Sequence, residues 1–323
     1  MSRGVVGIGG GIGASRFWRA LLRVLDPAEL TIVVNTGDDL WLHGLRICPD
    51  LDTTLYALSG RQDVERGWGL ADESFRCMAA LRRLGRDVWF HLGDLDLATH
   101  LLRTGLLREG ARLSEVTERL AAAMGVEAGV VPMTDDEVTT LVETTDGATL
   151  HYEEFLVRHQ ATPEVARVVH SGADRARPAP GVVTAITEAD LVLLAPSNPV
   201  ASIGPVLAVP GIREALLATD APVVAVSPIV SRVPITDPGE RLRATSRAAL
   251  LASLGLPPTA TAVAAYYGRL CRRFVLDAAD SMEGDAVRAL GPGVDVVPTL
   301  LAGRPPDDVL ARTVLAARVA GRA

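Results

Sequence analysis

The fold is decided by one stretch near the N-terminus, "GVVGIGGGIGASRFWRALLRVLDPAELTIVVN", residues 4–35. It opens with a β-branched run that ends in glycines, continues with the helical spacing of "SRFWRALLRVL" and closes with the apolar strand "ELTIVVN". Strand, glycine turn, helix and strand form a βαβ unit. Such a unit predicts a parallel sheet that is covered by helices on both faces.

The rest of the chain repeats this pattern with one interruption. Helices are predicted over residues 70–84 and 96–124, with a strand at 87–93 between them. The interruption alternates apolar and polar residues around the turn Asp146-Gly147, which predicts a β-hairpin. Strands are then predicted in "ADLVLLAPSNP", "APVVAVSPIV", "RRFVLDAAD" and "VDVVPTLLAG", with helices ending near Ala218, starting from Ser246 and closing the chain over 306–318.

These elements predict an α/β protein with a doubly wound, mostly parallel Rossmann-like sheet and an inserted α+β lobe. Residues 1–125 are assigned to the first half of the Rossmann-like core, residues 126–180 to the lobe and residues 181–323 to the second half of the core. The arginine- and proline-rich segment 175–180 is interpreted as a linker.

Composition narrows the class of protein. The chain has 323 residues, of which 48% are hydrophobic, and its net charge of −7 gives no reason to expect nucleic acid as a partner. No apolar run approaches the roughly 20 residues that span a bilayer, and the N-terminal apolar stretch lacks the pattern of a signal peptide. Cys48, Cys77 and Cys271 are far apart without a C-x-x-C spacing, which favours a reducing compartment, the cytoplasm.

The glycines after the first strand form a candidate phosphate site. Because Gly10, Gly11 and Gly13 lack side chains, backbone N–H groups can approach an anion at the helix N-terminus. The alternative is a turn that serves only to pack the helix on the strand. A dinucleotide is disfavoured, because the spacing differs from G-x-G-x-x-G and the second strand ends in Asn35 instead of an acidic residue.

Four carboxylates follow the second strand, at the edge of the sheet where open α/β proteins bind ligands. Asp38 and Asp39 come directly after the strand, and Asp50 and Asp52 lie near the start of the next helix. Carboxylates beside a phosphate cradle predict Mg²⁺, with Asp38, Asp39 and Asp50 as its ligands and as the groups that activate a substrate hydroxyl. Zinc is rejected because His43 has no partner at ligand spacing. Taken alone, Asp52 is equally well explained as a helix N-cap.

A second motif follows a buried strand later in the chain. "LLAPSNPVASIGP" places Ser197, Asn198, Ser202 and Gly204 after that strand. Serine and asparagine offer both donors and acceptors, which suit a nucleobase edge or a ribose. The alternative is a turn bracketed by prolines, in which Asn198 is extended because Pro199 follows it.

Together these motifs resemble the family of 2-phospho-L-lactate transferases, which build the deazaflavin coenzyme F(420). The shared blocks are "GGIGASRF", "VVNTGDDLWLHGLRICPDLDTTLY", "RGWG", "HLGDLDLATHLLR", "LLAPSNPVASIGP" and "AVSPIV", and they follow the family's order over about residues 10–230. "GLRICPDLDTTLY" and "SNPVASIGP" are similar to the bacterial branch, whose donor is thought to carry phosphoenolpyruvate instead of phospholactate.

The resemblance implies transfer from a guanosine diphosphate-linked donor that carries a three-carbon phospho-acid. The terminal ribityl hydroxyl of the acceptor, 7,8-didemethyl-8-hydroxy-5-deazariboflavin, attacks the distal phosphorus and GMP leaves. This reaction needs a diphosphate cradle, a metal, a group that orients the alcohol and a flat apolar slot for the deazaflavin. The family's habit also implies a homodimer.

The resemblance assigns roles to the motifs. The glycine loop and Ser197, Asn198 and Pro199 match the family's phosphate and guanosine positions. Asp52 and His91 stand where the family contacts the deazaflavin. Trp41 is a candidate wall for that aromatic ring, although core packing is the commoner explanation for a tryptophan.

Three residues depart from the family pattern. Leu95 and Leu97 stand in a block where members often carry a basic residue, so Arg46 or Arg103 would have to replace that cation. His91 stands where some members carry lysine, which implies a pH-dependent contact with the deazaflavin.

A different class of protein is the main alternative. Regulatory proteins of the same fold superfamily bind nucleotide sugars and catalyse no known reaction. They share the glycine loop, but they usually have Gly-Pro-Gly-Ser where this chain has Pro196-Ser197-Asn198-Pro199, and they lack "PDLDT". Both differences favour the transferase.

Overall fold

The computed structural model describes residues 4–301 and 308–320. Its strands are β1 (Val5–Gly9), β2 (Leu30–Val34), β3 (Leu40–Leu42), β4 (Leu45–Ile47), β5 (Gly129–Pro132), β6 (Thr139–Thr144), β7 (Thr149–His151), β8 (Val165–Ser171), β9 (Leu191–Leu194), β10 (Val223–Val226), β11 (Arg273–Leu276) and β12 (Gly293–Val296). Its α-helices are α1 (Gly11–Leu21), α2 (Pro49–Leu58), α3 (Arg76–Arg83), α4 (Asp96–Arg108), α5 (Leu113–Met124), α6 (Val182–Glu188), α7 (Gly204–Ala208), α8 (Ile212–Ala218), α9 (Pro238–Ala252), α10 (Ala260–Tyr267), α11 (Gly284–Ala289) and α12 (Val309–Ala320).

The central sheet has seven parallel strands in the order β12-β11-β10-β9-β1-β2-β5. The chain moves outward from β1 to β5 on one side and from β9 to β12 on the other, so the direction of winding reverses between β1 and β9. The predicted doubly wound, Rossmann-like α/β fold is confirmed. The β3–β4 hairpin and an antiparallel sheet in the order β7-β6-β8 lie outside the central sheet.

Alternating side chains of the central strands supply two separate cores. Val5 faces a core that contains the side chains of α1, α2, α5 and α12, whereas Val6 and Ile8 face a core on the other side of the sheet. Both faces are therefore buried, which explains why the strands are continuous apolar runs.

Gly7 permits the closest contact between β1 and α1. A Cβ at this position would lie 2.5 Å from a ring carbon of Trp18, whose side chain is fully buried beneath the strand. The glycine in the middle of the strand therefore has a packing role that is distinct from the loop glycines that follow.

The predicted strand at residues 87–93 is wrong. Val88 and Leu92 are buried against Leu40, Ile47 and Met78, so this segment packs on the β3–β4 hairpin without pairing in a sheet. A short apolar segment that packs on a hairpin was therefore mistaken for a strand.

Several helix limits also differ from the predictions. The helix predicted over 70–84 begins only at Arg76, where Asp94 accepts backbone N–H groups of residues 76 and 77. The segment 96–124 is two helices, because Gly110 with φ +96° separates α4 from α5. Helix α9 begins before Ser246, at Pro238, with Asp237 as its N-cap. The start of the last predicted helix, residue 306, lies outside the described residues.

The predicted lobe contains the predicted hairpin, because β6 and β7 flank Asp146 and Gly147. Its first strand, β5, instead pairs with β2 at the edge of the central sheet. The division into core and lobe stays a prediction. Within the described residues, no single helix is long and apolar enough to cross a membrane; the short helical pair Pro199–Ala208 and Ile212–Ala218 reaches that length only jointly, across an 88° bend.

We predict that Gly7→Ala lowers the free energy of unfolding by about 1–3 kcal/mol, because the added methyl group overpacks a buried ring. Urea unfolding followed by tryptophan fluorescence measures this change. Gly105→Ala is the matched control, since a Cβ at that position of α4 meets no atom within 4 Å. The control is expected to gain about 0.5–1 kcal/mol. Equal stability of the Gly7→Ala variant and the wild type would contradict the packing role.

Candidate active site

The glycine loop and the second motif meet where the winding of the sheet reverses. Strands β1 and β9 are paired, and their carboxyl ends lead to Gly10 and Ser197. The Ser197 hydroxyl donates to the Gly10 carbonyl oxygen at 2.9 Å and accepts from the Gly10 N–H at 3.3 Å. Motifs that are far apart in sequence thus share the crevice where open α/β sheets bind ligands.

The loop backbone is too closely packed for side chains. A Cβ on Gly10 would lie 1.9 Å from a carboxylate oxygen of Asp50, and one on Gly13 would lie 2.5 Å from the Pro196 carbonyl oxygen. Gly11 has φ +73°, the left-handed region that favours glycine. Helix α1 begins at Gly11, so its first N–H groups have no partner within the helix. This arrangement suits an anion.

A cleft of about 570 Å³ opens beside the loop, a volume suited to a small-molecule ligand. Its walls include the glycine loop (residues 10–13), the acidic loop (residues 38–50) with α2, the segment 152–160, the turn after β9 and the segment 227–243.

Three of the buried carboxyl groups that face this cleft, Asp38, Asp50 and Glu153, interact with one another and form what we call the acidic group. Asn35, directly after β2, donates its side-chain amide to Asp38 at 3.0 Å and to Asp50 at 2.9 Å. The Gly37 N–H donates to the other end of this amide at 2.8 Å, which fixes its orientation. Asn35 therefore joins two of the predicted metal ligands.

The electrostatics of this acidic group are unbalanced. Burial, followed by the charges of Asp50, Glu153 and Asp39, raises the pKa of Asp38 well above its usual range. Burial likewise raises the pKa of Asp50 to about 7 and that of Glu153 to about 8. Among the described residues, no cation lowers any of these pKa values.

This group fits a divalent cation. Asp38 Oδ1 is buried without a hydrogen-bond partner among the described residues, and carboxylate oxygens are the ligands that Mg²⁺ prefers. A different set, Asp52, Asp96 and His100, has donor atoms within 4.8 Å of one another. That set already has a cation, because Arg103 pairs with Asp52. The acidic group is therefore the better candidate for Mg²⁺.

Asp52, which lies in the first turn of α2 like Asp50, belongs to a separate buried network. Arg103, 1% exposed, binds both carboxylate oxygens of Asp52. His100 Nε2 lies 3.1 Å from Asp96 Oδ1, to which the Tyr56 hydroxyl donates at 2.5 Å. Four of these side chains line the cleft, namely Asp52, Tyr56, Asp96 and His100. Arg103 lies behind them. Asp52 is not the helix N-cap, since α2 begins at Pro49.

Asp39 and Trp41 lie on a separate groove of about 410 Å³. Asp39 forms an ion pair with Arg46 at 3.3 Å; burial raises its pKa to about 6, although Arg46 opposes that rise. Trp41 is 50% exposed, with the Arg46 guanidinium 5.9 Å from its ring centroid. The structure therefore does not bring these two residues to Asp38 and Asp50.

The remaining predicted residues divide by position. Ser197, Asn198, Ser202 and His91 line the cleft, whereas Pro199 and Gly204 are buried in the turn behind it. Asn198 caps that turn, since its side-chain oxygen accepts the N–H groups of residues 200 and 201 at 3.0 and 3.2 Å.

The two leucines that depart from the family pattern lie away from the cleft, whereas His91, the third departure, lines it. Leu95 is 51% exposed and Leu97 packs near the β3–β4 hairpin. Arg46 and Arg103, the possible replacements for the missing cation, are paired with Asp39 and Asp52. Neither leucine nor either arginine lines the cleft.

Sequence reasoning missed Glu153, Tyr56, His100 and the arginines of α9. A helical signal existed for two of them, because Tyr56 follows Asp52 by one turn and His100 follows Asp96 by one turn. Glu153 had no such signal, since it comes from the segment after β7 and reaches the cleft only through the tertiary fold.

The fold and this cleft define a Rossmann-like α/β protein with its ligand site at the point where the winding reverses. A family model described as 2-phospho-L-lactate transferase CofD matches residues 5–263. The chain belongs to this family and is a transferase.

Relatives and solved structures agree with this assignment. A phosphoenolpyruvate transferase from Kitasatospora aureofaciens is 44% identical over 318 residues, which cover 97% of each chain. A phosphoenolpyruvate transferase from Nocardia farcinica is 41% identical over 96% of this chain and 93% of its own. A crystal structure of a UPF0052 family member from Bacillus halodurans matches 98% of this chain and 99% of its own with a TM-score of 0.62; at 17% identity it supports the fold alone.

We predict that Arg103→Met lowers the free energy of unfolding by about 3–5 kcal/mol, because it leaves the Asp52 carboxylate buried without its cation. Chemical denaturation measures the loss. The double variant Asp52→Asn with Arg103→Met is the control and should recover part of it, since no uncompensated charge remains. Additive effects of the two substitutions would contradict a direct coupling.

We predict that the metal-free protein loses stability as pH rises from about 5 to about 8. The pKa values of Asp50 (about 7) and Glu153 (about 8) exceed the unfolded values, so the folded state binds more protons than the unfolded state over this interval. Urea unfolding in a chelator at each pH measures the slope. Asp50→Asn should reduce the total loss by at least about 1 kcal/mol; an unchanged slope would show that Asp50 does not titrate in this range.

Proposed function

We propose that this protein transfers a phosphoenolpyruvyl or 2-phospholactyl group from a guanosine diphosphate-linked donor to the ribityl hydroxyl of 7,8-didemethyl-8-hydroxy-5-deazariboflavin, releasing GMP, in coenzyme F(420) biosynthesis. Family membership and the names of the relatives support this proposal. The observation that carries it is the contact between the Asp50 carboxylate and the glycine loop, because it brings carboxylates that suit a metal beside a backbone that suits a phosphate. We also propose a homodimer, which light scattering of the purified protein tests.

The donor diphosphate lies at the N-terminus of α1. The N–H groups of the first turn, which have no partner within the helix, suit its negative charge, and the absence of side chains at Gly10 and Gly13 lets the phosphates approach the backbone. Ser197 and Asn198 then face the nucleoside end from the turn after β9.

Asp38, Asp50 and Glu153 would hold Mg²⁺. When bound, the ion neutralises these carboxylates and polarises a phosphoryl oxygen of the donor. Asn35 keeps Asp38 and Asp50 oriented toward the same side of the cleft, because its amide donates to both. Asp39 is left out of this assignment, because Arg46 already neutralises it.

The transfer is a substitution at the distal phosphorus. A bond forms between the ribityl oxygen and this phosphorus, the bond to the bridging oxygen breaks, and that oxygen leaves with GMP. The hydroxyl proton passes to a carboxylate of the acidic group.

One side of the cleft is apolar and aromatic and can accommodate the deazaflavin ring of the acceptor. Trp68, Phe90, His91 and Leu156 line this part of the cleft. The Trp68 ring is stabilised by Phe75 at 6.1 Å between centroids, and His91 meets the same phenylalanine edge-on at 6.3 Å. Asp52 and Tyr56 offer polar contacts beside this wall, in positions that Arg103 and Asp96 fix.

We predict that the wild-type protein forms GMP and the acidic deazaflavin product only when Mg²⁺ is present, and that Asp50→Asn lowers kcat about 100-fold or more, as expected for loss of a group that stabilises developing charge. Mass spectrometry follows both products with guanylylated phosphoenolpyruvate and phospholactate as alternative donors.

Asp285→Asn is the control, because it removes a 98% exposed carboxylate outside the cleft and should leave kcat unchanged. Product formation by the wild type in a chelator would contradict the role of the metal. Absence of product with either donor, together with tight binding of nucleotide sugars, would contradict the transfer reaction itself.

A further inference from the structure

One wall of the cleft carries arginines that do not pair with the carboxylates of the acidic group. Arg16 of α1 and Arg243 and Arg247 of α9 line this wall. Arg16 and Arg243 both pair with Glu240, the latter at 2.9 Å. Arg243 also lies 3.8 Å from Asp237, so two carboxylates pair with two of the three guanidinium groups and one positive charge of the wall remains.

Arg247 differs from its two neighbours. Within residues 4–301 and 308–320, no residue forms a hydrogen bond or an ion pair with its guanidinium group. The residue is partly buried, and burial lowers its pKa despite the opposing charge of Glu240. A guanidinium group carries five N–H donors and is costly to remove from water without an acceptor. An anionic ligand in the cleft would supply one.

The surroundings of Arg247 place it between the two ends of the cleft. Its neighbour Ser246 is buried and lies 3.2 Å from the Tyr152 hydroxyl, which lies 3.5 Å from the Asn198 side-chain nitrogen. Tyr152 directly precedes Glu153 of the acidic group. Arg247 itself lines the cleft and interacts electrostatically with Tyr152, so helix α9 presents it near the segment that leads to Glu153.

We infer that Arg247 binds the carboxylate of the three-carbon acid on the donor, and so selects donors that carry this group. The inference rests on the proposed function, which supplies the donor. The diphosphate has the N–H groups of the glycine loop and the proposed cation, whereas the carboxylate has neither. Arg247 is the unpaired cation among the described residues of the cleft wall, and a guanidinium fork matches a carboxylate in a bidentate manner.

Calorimetric binding of two ligands tests this assignment without requiring turnover. Guanylylated phosphoenolpyruvate carries the carboxylate, and GDP carries the same base and a diphosphate without it. Arg247→Gln is expected to weaken donor binding about 10- to 100-fold, the range for a charged hydrogen-bonding contact, while GDP binding changes less than about twofold. Arg247→Lys keeps the charge but not the fork, and should bind the donor with intermediate affinity.

Two controls separate this contact from other effects. Arg213→Gln removes the same charge from an exposed position on α8 outside the cleft, and should change neither affinity. Circular dichroism and thermal unfolding of each variant verify that it is folded.

Equal losses for GDP and donor would overturn the inference, because they would assign Arg247 to the diphosphate. Unchanged donor binding in Arg247→Gln would overturn it as well. Donor binding that depends on Arg247 in a protein that forms no product would support the inference and reject the proposed transfer. A wild-type protein that does not bind the donor would overturn both.

Discussion

The contact between the Asp50 carboxylate and the Gly10 backbone is the constraint on which the rest of the site depends. A single methyl group at Gly10 would overlap the carboxylate oxygen, so the glycine loop and the acidic loop occupy their positions only together. The same carboxylate accepts from Asn35, which also holds Asp38. One close approach between α1 and α2 therefore joins the phosphate cradle, the end of β2 and the acidic group in one arrangement.

The sequence could predict this fold because its signals are local and repeated. Residues 4–35 contain a full strand–turn–helix–strand unit, and buried strands such as β9 and β10 remain apolar on both faces. Predictions failed where burial came from an unusual neighbour, as at Val88 and Leu92, which pack on a hairpin instead of pairing in a sheet. Helix limits failed where the cap comes from elsewhere in the chain, as Asp94 does for α3.

For the site, the sequence identified candidate residues near strand ends, but it could not predict in which direction their side chains point. Asp38 and Asp39 are adjacent in sequence, yet one faces the large cleft and the other turns to Arg46 on a separate groove. The chain turns at Gly37 and Asp38, where the Asp39 N–H donates to the Thr36 carbonyl oxygen at 3.2 Å, so the two side chains leave the backbone in different directions. Glu153 and Arg247 could not be predicted for a different reason. Each follows Asp50 by more than 100 residues, and only the tertiary fold brings them to the same cleft.

The cleft contains both acidic and basic side chains that lack partners of opposite charge among the described residues. These side chains affect the stability of the fold as well as the binding of ligands. Asp38, Asp50 and Glu153 lack a cation among the described residues, while Arg247 lacks an anion. Burial of unpaired charge opposes folding, and sites that accept this cost commonly recover it when the ligand binds. A donor that carries a diphosphate and a carboxylate, bound with a divalent cation, supplies both missing signs at once. Under the proposed function, the same charges that oppose folding would distinguish this donor from a simple nucleotide.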